Sequence, residues 1–172
     1  MKKTIWTILF WVGFVFYAGF LLWNILFKYV SPLELFQSGR YCSRTLNLIP
    51  FHDLIEGNFN RLDVFGNLIL FIPFGVYIKL LLKNKGVGFV ILLACLTSIE
   101  LELFQYVFGI GASDVTDVIY NTLGAMLGLG LFGVMKLVFK EEARIYCFVT
   151  FLSTITVVLL SILIVMLAIY NM

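Results

Sequence analysis

Residues 114–130 read "DVTDVIYNTLGAMLGLG", and this stretch decides how the rest of the chain is interpreted. Most of it is apolar enough to lie in lipid, yet its first eight residues carry two aspartates and an asparagine: Asp114, Asp117 and Asn121. At about 100° per residue, the three fall within about 60° of one another on a helix. Gly124 and Gly128 continue near the same stripe as a GxxxG pattern, which lets another helix approach closely. We therefore expect this face to point into the protein rather than into lipid.

The composition is that of a membrane protein. Of the 172 residues, 62% are hydrophobic and 13% are charged, whereas a soluble domain is usually about 45–50% apolar. A helix needs roughly 20 mostly apolar residues to cross a bilayer, and five such runs are present. They lie at 5–27, 64–83, 86–108, 115–139 and 145–169. The predicted fold class is therefore all-α, a polytopic transmembrane helical bundle of about five helices.

The first apolar run is interpreted as a retained helix, because it is too long for a signal peptide and no small-x-small cleavage site follows it. The segment 47–60, "NLIPFHDLIEGNFN", is apolar but too short to span, and a proline and a glycine interrupt it. We expect it to form an interfacial or re-entrant segment between helices one and two. The chain is predicted to be a single membrane domain, 1–172, and the uncharged helix five, 145–169, is a candidate appendage.

The distribution of Lys and Arg predicts the orientation, since an excess of these residues marks the cytoplasmic side. One side would carry Lys2, Lys3, Lys79, Lys83, Lys85, Lys136, Lys140 and Arg144. The other side would carry Lys28, Arg40, Arg44 and Arg61. This predicts a plasma-membrane protein with a cytoplasmic N-terminus and an extracytoplasmic C-terminus. Because the basic residues are dispersed, no nucleic-acid partner is predicted.

Polar residues also occur in helices two and three. Asp63 and Asn67 share one face of helix two. Glu100 and Glu102 are about 160° apart on helix three, so they cannot both face one neighbour, and Gln105 shares a face with Glu102. Helices two and four would run inward and helix three outward, which places these groups in the extracytoplasmic halves. We therefore expect a single polar pocket that opens to the outside.

Four pieces of the chain together resemble the VanZ-like family. They are "NLIPF" (47–51), "DVFGNLILFIPFG" (63–75), "SIELELFQ" (98–105) and "DVTDVIYNTLGAMLG" (114–128), in the family's order and spacing, within a core at about 45–130. The resemblance implies a small multispanning bacterial membrane protein, and the family's named member is linked to resistance to teicoplanin-type glycopeptide antibiotics. Carried over position by position, the family's polar signature falls on Asp63, Asn67, Glu100, Gln105, Asp114, Asp117 and Asn121, and we expect these residues to form the ligand-binding pocket.

The sequence departs from the family's pattern in one place. Many members have an arginine shortly before the first aspartate of helix four, and here that stretch is "GIGAS", residues 109–113. A salt bridge from that position to Asp114 or Asp117 is therefore unavailable. Simpler roles are also open for the aspartates and asparagines: Asp114 as an N-cap, Asp117 in a favourable first helical turn, and Asn67 and Asn121 as hydrogen-bonding bridges between helices.

The leading functional hypothesis is a non-enzymatic binding role at the outer leaflet. The expected partners are membrane lipids, a lipid-linked cell-wall precursor, a lipoglycopeptide-like antibiotic or another protein. Two alternatives are an enzyme acting on a lipid-linked substrate, with Glu100 and Asp117 as acid and base, and a small transporter. A purely structural role for the polar groups is a third. No cofactor and no metal site is predicted, and the GxxxG is compatible with an oligomer as well as with an internal contact.

Overall fold

A computed structural model describes residues 2–28, 43–57 and 60–170 of the chain. Within these ranges there are six helices and two short strands. The helices are α1 (Lys2–Leu26), α2 (His52–Ile55), α3 (Arg61–Leu81), α4 (Val87–Phe108), α5 (Val115–Phe139) and α6 (Glu142–Tyr170). The strands are β1 (Ser43–Asn47) and β2 (Ile110–Asp114).

Five of the helices, all except α2, are long and apolar enough to cross a membrane. This confirms the predicted all-α class and the number of spanning helices. The apolar run predicted at 115–139 coincides with α5, and the other four predicted helices differ from the observed ones by a few residues at their ends. Long apolar runs define such helices well because every backbone polar group in lipid must be satisfied within the helix itself.

The two strands were not predicted. Strands β1 and β2 pair in parallel, and the register places Asn47 opposite Asp114. Each strand has only five residues, "SRTLN" and "IGASD", with no clear alternation of apolar and polar positions. Since the two strands are far apart in the sequence, no hairpin signal marks their pairing. The pair brings the "NLIPF" segment to the start of α5.

The segment after β1 packs on the first turns of α5. Phe51 precedes α2 in a left-handed backbone conformation, with φ at 60°. Its backbone N–H donates to Thr116 Oγ1 at 3.0 Å. Its ring meets that of Tyr120 edge to face, with centroids 5.9 Å apart. The other apolar side chains of this segment, Leu48, Ile49, Leu54 and Ile55, are exposed. An interfacial or re-entrant position for 47–60 stays a prediction.

The GxxxG pattern joins α5 to α3 within one compact unit, residues 21–133. A Cβ placed on Gly124 would overlap the backbone carbonyl of Leu68, and one on Gly128 would overlap that of Ile72. Gly75 of α3 is equally close to the α5 backbone. The glycines therefore serve an intramolecular helix crossing of the small-residue type. Oligomer formation stays a prediction.

A second compact unit comprises residues 1–20 and 134–172. In it, the rings of Phe10 and Tyr146 stack with centroids 4.5 Å apart. Phe10 and Ile145 are almost fully buried. The later residues of α6 are largely exposed, as suits a helix whose apolar surface is covered by lipid. The assignment of one membrane domain, with helix five as an appendage, stays a prediction.

Candidate functional site

An ammonium group between two carboxylates lies at the centre of the polar cluster in residues 21–133. Lys28 Nζ lies 3.0 Å from Asp63 Oδ1 and 3.6 Å from Asp117 Oδ2. Lys28 follows the end of α1, Asp63 lies in the first turn of α3, and Asp117 lies in the first turn of α5. The three side chains are 17%, 30% and 20% exposed, respectively. This arrangement connects three helices through partly buried charges.

The Asp63 carboxylate is held on both oxygens. Its Oδ1 faces Lys28, and its Oδ2 accepts a hydrogen bond from Asn60 Nδ2 at 2.8 Å. Asn60 is also the N-cap of α3, because its Oδ1 accepts from the Leu62 N–H at 3.1 Å. Asn60 thus satisfies a free backbone donor at the helix start and fixes the aspartate.

Asp114 caps α5 and holds β1. Its Oδ1 accepts from the Thr116 N–H at 2.7 Å, which confirms the N-cap interpretation. Its Oδ2 accepts from Asn47 Nδ2 at 3.1 Å, and Asn47 Oδ1 accepts from the Ile49 N–H at 3.1 Å. The first asparagine of "NLIPF" therefore bonds to the first aspartate of "DVTD", although the two motifs are far apart in the sequence.

The two glutamates of α4 lie on opposite faces, as expected from their spacing, but the residue that joins the cluster is Glu102. Glu102 is 7% exposed, and its carboxylate accepts from the Asp114 N–H at 3.0 Å. It also interacts electrostatically with Asp117 and Lys28. Glu100 is exposed on the other side of α4 and does not line the pocket. The sequence predicts Glu100 in the pocket and not Glu102; the structure corrects this, because Glu102 contacts the cluster and Glu100 does not line the pocket.

Two asparagines lie one helical turn deeper than the aspartates. Asn121 Nδ2 donates to Ser98 Oγ at 2.8 Å, which links α5 to α4. The Asn67 side chain lies next to the Asp117 carboxylate. Asn67 and Asn121 are 5% and 1% exposed, and Asn121 Oδ1 has no hydrogen-bond partner among the described residues. The bridging role expected for Asn121 is therefore confirmed.

Gln105 has a positioning role. Its Nε2 donates to the Ile25 carbonyl at 2.9 Å, within the last turn of α1. That carbonyl has no donor inside the helix, since the last carbonyls of a helix are free. The bond ties α4 to the end of α1 three residues before Lys28.

A cavity of about 90 Å³ opens beside this cluster. Its walls are Lys28, Phe51, Asp53, Leu54, Asn60, Asp63, Val64, Ala112, Asp114, Thr116, Asp117 and Tyr120. Four aspartates and one lysine give these walls an excess of negative charge. Pockets for whole drug-sized ligands measure about 300–1,000 Å³, so this cavity has room for one small group of a larger molecule. In the described ranges, no three acidic, histidine or cysteine side chains are placed to hold a metal ion.

The cavity gathers part of the predicted site. Asp63, Asp114 and Asp117 line it, whereas Asn67, Gln105 and Asn121 are buried without lining it. Ligand binding by any of the seven residues stays a prediction. The sequence identifies Lys28 only as a charge that sets the orientation, and its place in this cluster is not predicted. The missing arginine in 109–113 is a usable signal, because Lys28, which follows α1, supplies the cation for Asp117 instead.

Five helices of spanning length and a polar cluster built from four of them define a multi-pass membrane protein. The model of the VanZ/LLP1 family matches residues 14–140. A curated relative, Protein VanZ of Enterococcus faecium, is 39% identical over 122 residues, which cover 69% of this chain and 70% of the relative. The chain therefore belongs to the VanZ/LLP1 family, and the resemblance noted from its motifs is confirmed. No solved structure matches it significantly.

Proposed function

We propose that this protein binds a ligand at the outer leaflet through the Lys28–Asp63–Asp117 pocket and thereby modulates susceptibility to teicoplanin-type glycopeptide antibiotics. The ligand is a lipid-linked cell-wall precursor, the antibiotic itself or a partner protein. The proposal includes the orientation inferred from the basic residues, with the pocket on the extracytoplasmic side. Membership of the VanZ/LLP1 family supports the link to glycopeptides.

The observation that carries the proposal is the charge of the pocket. Charged groups within spanning helices are costly and commonly mark functional sites. Helix bridging needs only neutral pairs such as Asn121 and Ser98. The pocket instead holds Asp117, a mostly buried carboxylate whose ion-pair partner, Lys28, is closer to Asp63. Binding of a ligand explains such a carboxylate better than packing between helices does.

The size of the cavity limits how the ligand binds. A space of about 90 Å³ receives one polar group, so the rest of the ligand lies outside the pocket. Two helices that carry residues of the cluster also carry exposed apolar side chains. These include Leu62 and Phe65 on α3 and Phe104 and Phe108 on α4. A lipid-linked or lipid-tailed molecule would place its polar group in the cavity and its tail along these faces.

The test measures teicoplanin and vancomycin susceptibility in a sensitive Gram-positive host. It compares an empty vector, wild type, Asp117→Asn and the control Glu141→Gln, with membrane levels matched by blot. Glu141 is exposed, pairs with Arg144 and is not among the residues that line the pocket. We expect protection by wild type and by Glu141→Gln, and loss of protection in Asp117→Asn. Equal susceptibility of wild type and empty vector, or full protection by Asp117→Asn, contradicts the proposal.

A further inference from the structure

The turn between α3 and α4 carries positive charges that pair with no carboxylate among the described residues. Lys79, Lys83 and Lys85 lie close together in the sequence, and residues 64–99 include no aspartate or glutamate. In the described part of the chain, none of the ion pairs involves these three lysines. The charge of the turn is therefore left for a partner outside that part of the chain.

The basic residues around the connection from α5 to α6 differ in this respect. Lys136 Nζ lies 3.6 Å from Glu142 Oε1, and Arg144 Nε lies 3.2 Å from Glu141 Oε2. Neighbouring carboxylates offset the positive charge there. Basic residues at the ends of spanning helices are common, so the distinguishing property of residues 79–85 is that their charge is not offset in this way.

Lys79 holds the backbone of the turn. Its Nζ donates to the Lys85 carbonyl at 2.6 Å and to the Lys83 carbonyl at 3.3 Å. These bonds keep the ammonium group of Lys79 within the turn, next to the last turn of α3. The side chains of Lys83 and Lys85 are exposed. Two exposed ammonium groups therefore extend from a backbone that a third one fixes.

Apolar side chains beside the turn indicate its depth in the membrane. Both α3 and α4 are long enough to span a bilayer, so the connection between them lies at a membrane surface. Val87 and Phe89, in the first turn of α4, are exposed. Lys85 Nζ lies 5.2 Å from the centroid of the Phe89 ring. Lysine side chains near helix ends extend toward the headgroups, so the ring contacts acyl chains while the ammonium group reaches the phosphate layer.

An anionic phospholipid is the partner whose chemistry fits this surface. Each lysine close to an anionic membrane surface strengthens binding about fivefold. A zwitterionic headgroup carries its own cation and offers the lysines no net charge. The turn is short, residues 82–86, and lies between two spanning helices, so its surface has the size of a lipid headgroup rather than of a protein segment.

We propose that the α3–α4 turn binds the headgroup of an anionic phospholipid. The phosphate oxygens accept hydrogen bonds from the ammonium groups of Lys83 and Lys85, Lys79 adds a third positive charge, and an acyl chain lies against Phe89. This site is at the opposite end of α3 from Asp63, about 24 Å along the helix. It is therefore separate from the cavity and does not depend on the proposed function.

The experiment titrates dioleoyl phosphatidylglycerol into the full-length protein in a nonionic detergent and measures the first bound lipid by native mass spectrometry. Dioleoyl phosphatidylcholine, which has the same acyl chains, is the zwitterionic probe. We expect phosphatidylglycerol to bind about 25-fold more tightly or better, and Lys83→Gln/Lys85→Gln to lose about 25-fold, because each lysine contributes about fivefold. Affinity for phosphatidylcholine should not change in this variant.

A control variant removes the same net charge from the other ends of α3 and α4. Arg61 is the first residue of α3, and Arg44 donates to the Val107 carbonyl near the end of α4. These positions are roughly 30 Å along the helices from the turn, beyond the Debye length of about 10 Å. We expect Arg44→Gln/Arg61→Gln to bind phosphatidylglycerol like wild type.

A conservative variant separates binding from folding. Lys83→Arg/Lys85→Arg keeps both charges, so we expect it to bind phosphatidylglycerol like wild type. Equal affinity of wild type for the two lipids overturns the inference, and so does an equal loss in the two glutamine double variants. Release of the bound lipid by sodium phosphate, compared with sodium chloride of the same ionic strength, would identify a site for a free anion and would also overturn it.

Discussion

The carboxylate of Glu102 accepts a hydrogen bond from the backbone N–H of Asp114 at 3.0 Å. The bond joins the last turns of α4 to the N-cap of α5. Ser113 adds a second link, because its hydroxyl donates to the Glu102 carbonyl at 2.5 Å. Glu102 thereby fixes the turn from which Asp114 and Asp117 project. Glu102 therefore affects the site by positioning these two aspartates.

We predict that Glu102→Ala destabilises the protein by about 1–3 kcal/mol, the cost of leaving a buried donor without a partner. The matched control is Glu100→Ala on the same helix, where exposure limits the change to about 0.5 kcal/mol. Thermal unfolding of both variants in detergent measures the difference. Equal melting temperatures for the two variants would show that the Glu102–Asp114 bond does not stabilise the turn.

Glu100 and Glu102 show what helical periodicity predicts about this site and what it does not. Angular spacing on α4 shows that Glu100 and Glu102 face opposite ways. It does not say which face is buried, because both faces carry apolar residues. The partner that decides the matter is a backbone N–H in the connection between α4 and α5. Backbone donors leave no mark in the sequence.

Contacts between distant parts of the chain also limit what the sequence predicts about the rest of the site. The spanning helices follow from apolar runs, and the shared faces of Asp63 and Asn67 and of Asp117 and Asn121 follow from helical periodicity. The contact between Asn47 and Asp114 depends on two short strands whose pairing has no local signal. Lys28 directly follows the first apolar run, so the sequence identifies it only as a basic residue that sets the orientation of the chain in the membrane.

Removing the lysine should affect stability through both aspartates. We predict that a double-mutant cycle of Lys28→Gln and Asp63→Asn gives a coupling energy of about 1–3 kcal/mol, since partly buried charge pairs are weakly screened. The comparison pair is Lys136 and Glu142, 3.6 Å apart and 57% and 37% exposed. An exposed pair of this kind contributes about 0–1 kcal/mol. Denaturant titration of the seven proteins, which are wild type, four single variants and two double variants, provides the values.

Salt gives the cycle an internal check. Raising the ionic strength should weaken the Lys136–Glu142 coupling more than the Lys28–Asp63 coupling, because solvent ions reach the exposed pair more easily. A Lys28–Asp63 coupling no larger than that of the exposed pair would mean that the bridge makes no special contribution to the fold.

The orientation is testable with cysteine labelling. In a variant without native cysteines, we predict that Ile55→Cys reacts with a membrane-impermeant maleimide on intact cells. We also predict that Asn84→Cys reacts only after the cells are opened. Ile55 is 75% exposed in the connection between α1 and α3, and Asn84 is exposed in the turn between α3 and α4. The reverse pattern would place the pocket on the cytoplasmic side and rule out the outer-leaflet proposal.

The crossing of α3 and α5 depends on the absence of side chains at its glycines. Gly128→Ala would place a methyl group against the Ile72 carbonyl, so we predict separation of the helices and a loss of about 1–3 kcal/mol, as for an overpacked core. Gly130→Ala is the matched control, because nothing lies within 4 Å of the added Cβ and alanine favours the helix. Unfolding in detergent should place Gly128→Ala below wild type and Gly130→Ala at or above it. Normal stability of Gly128→Ala would show that the two helices do not cross at this point.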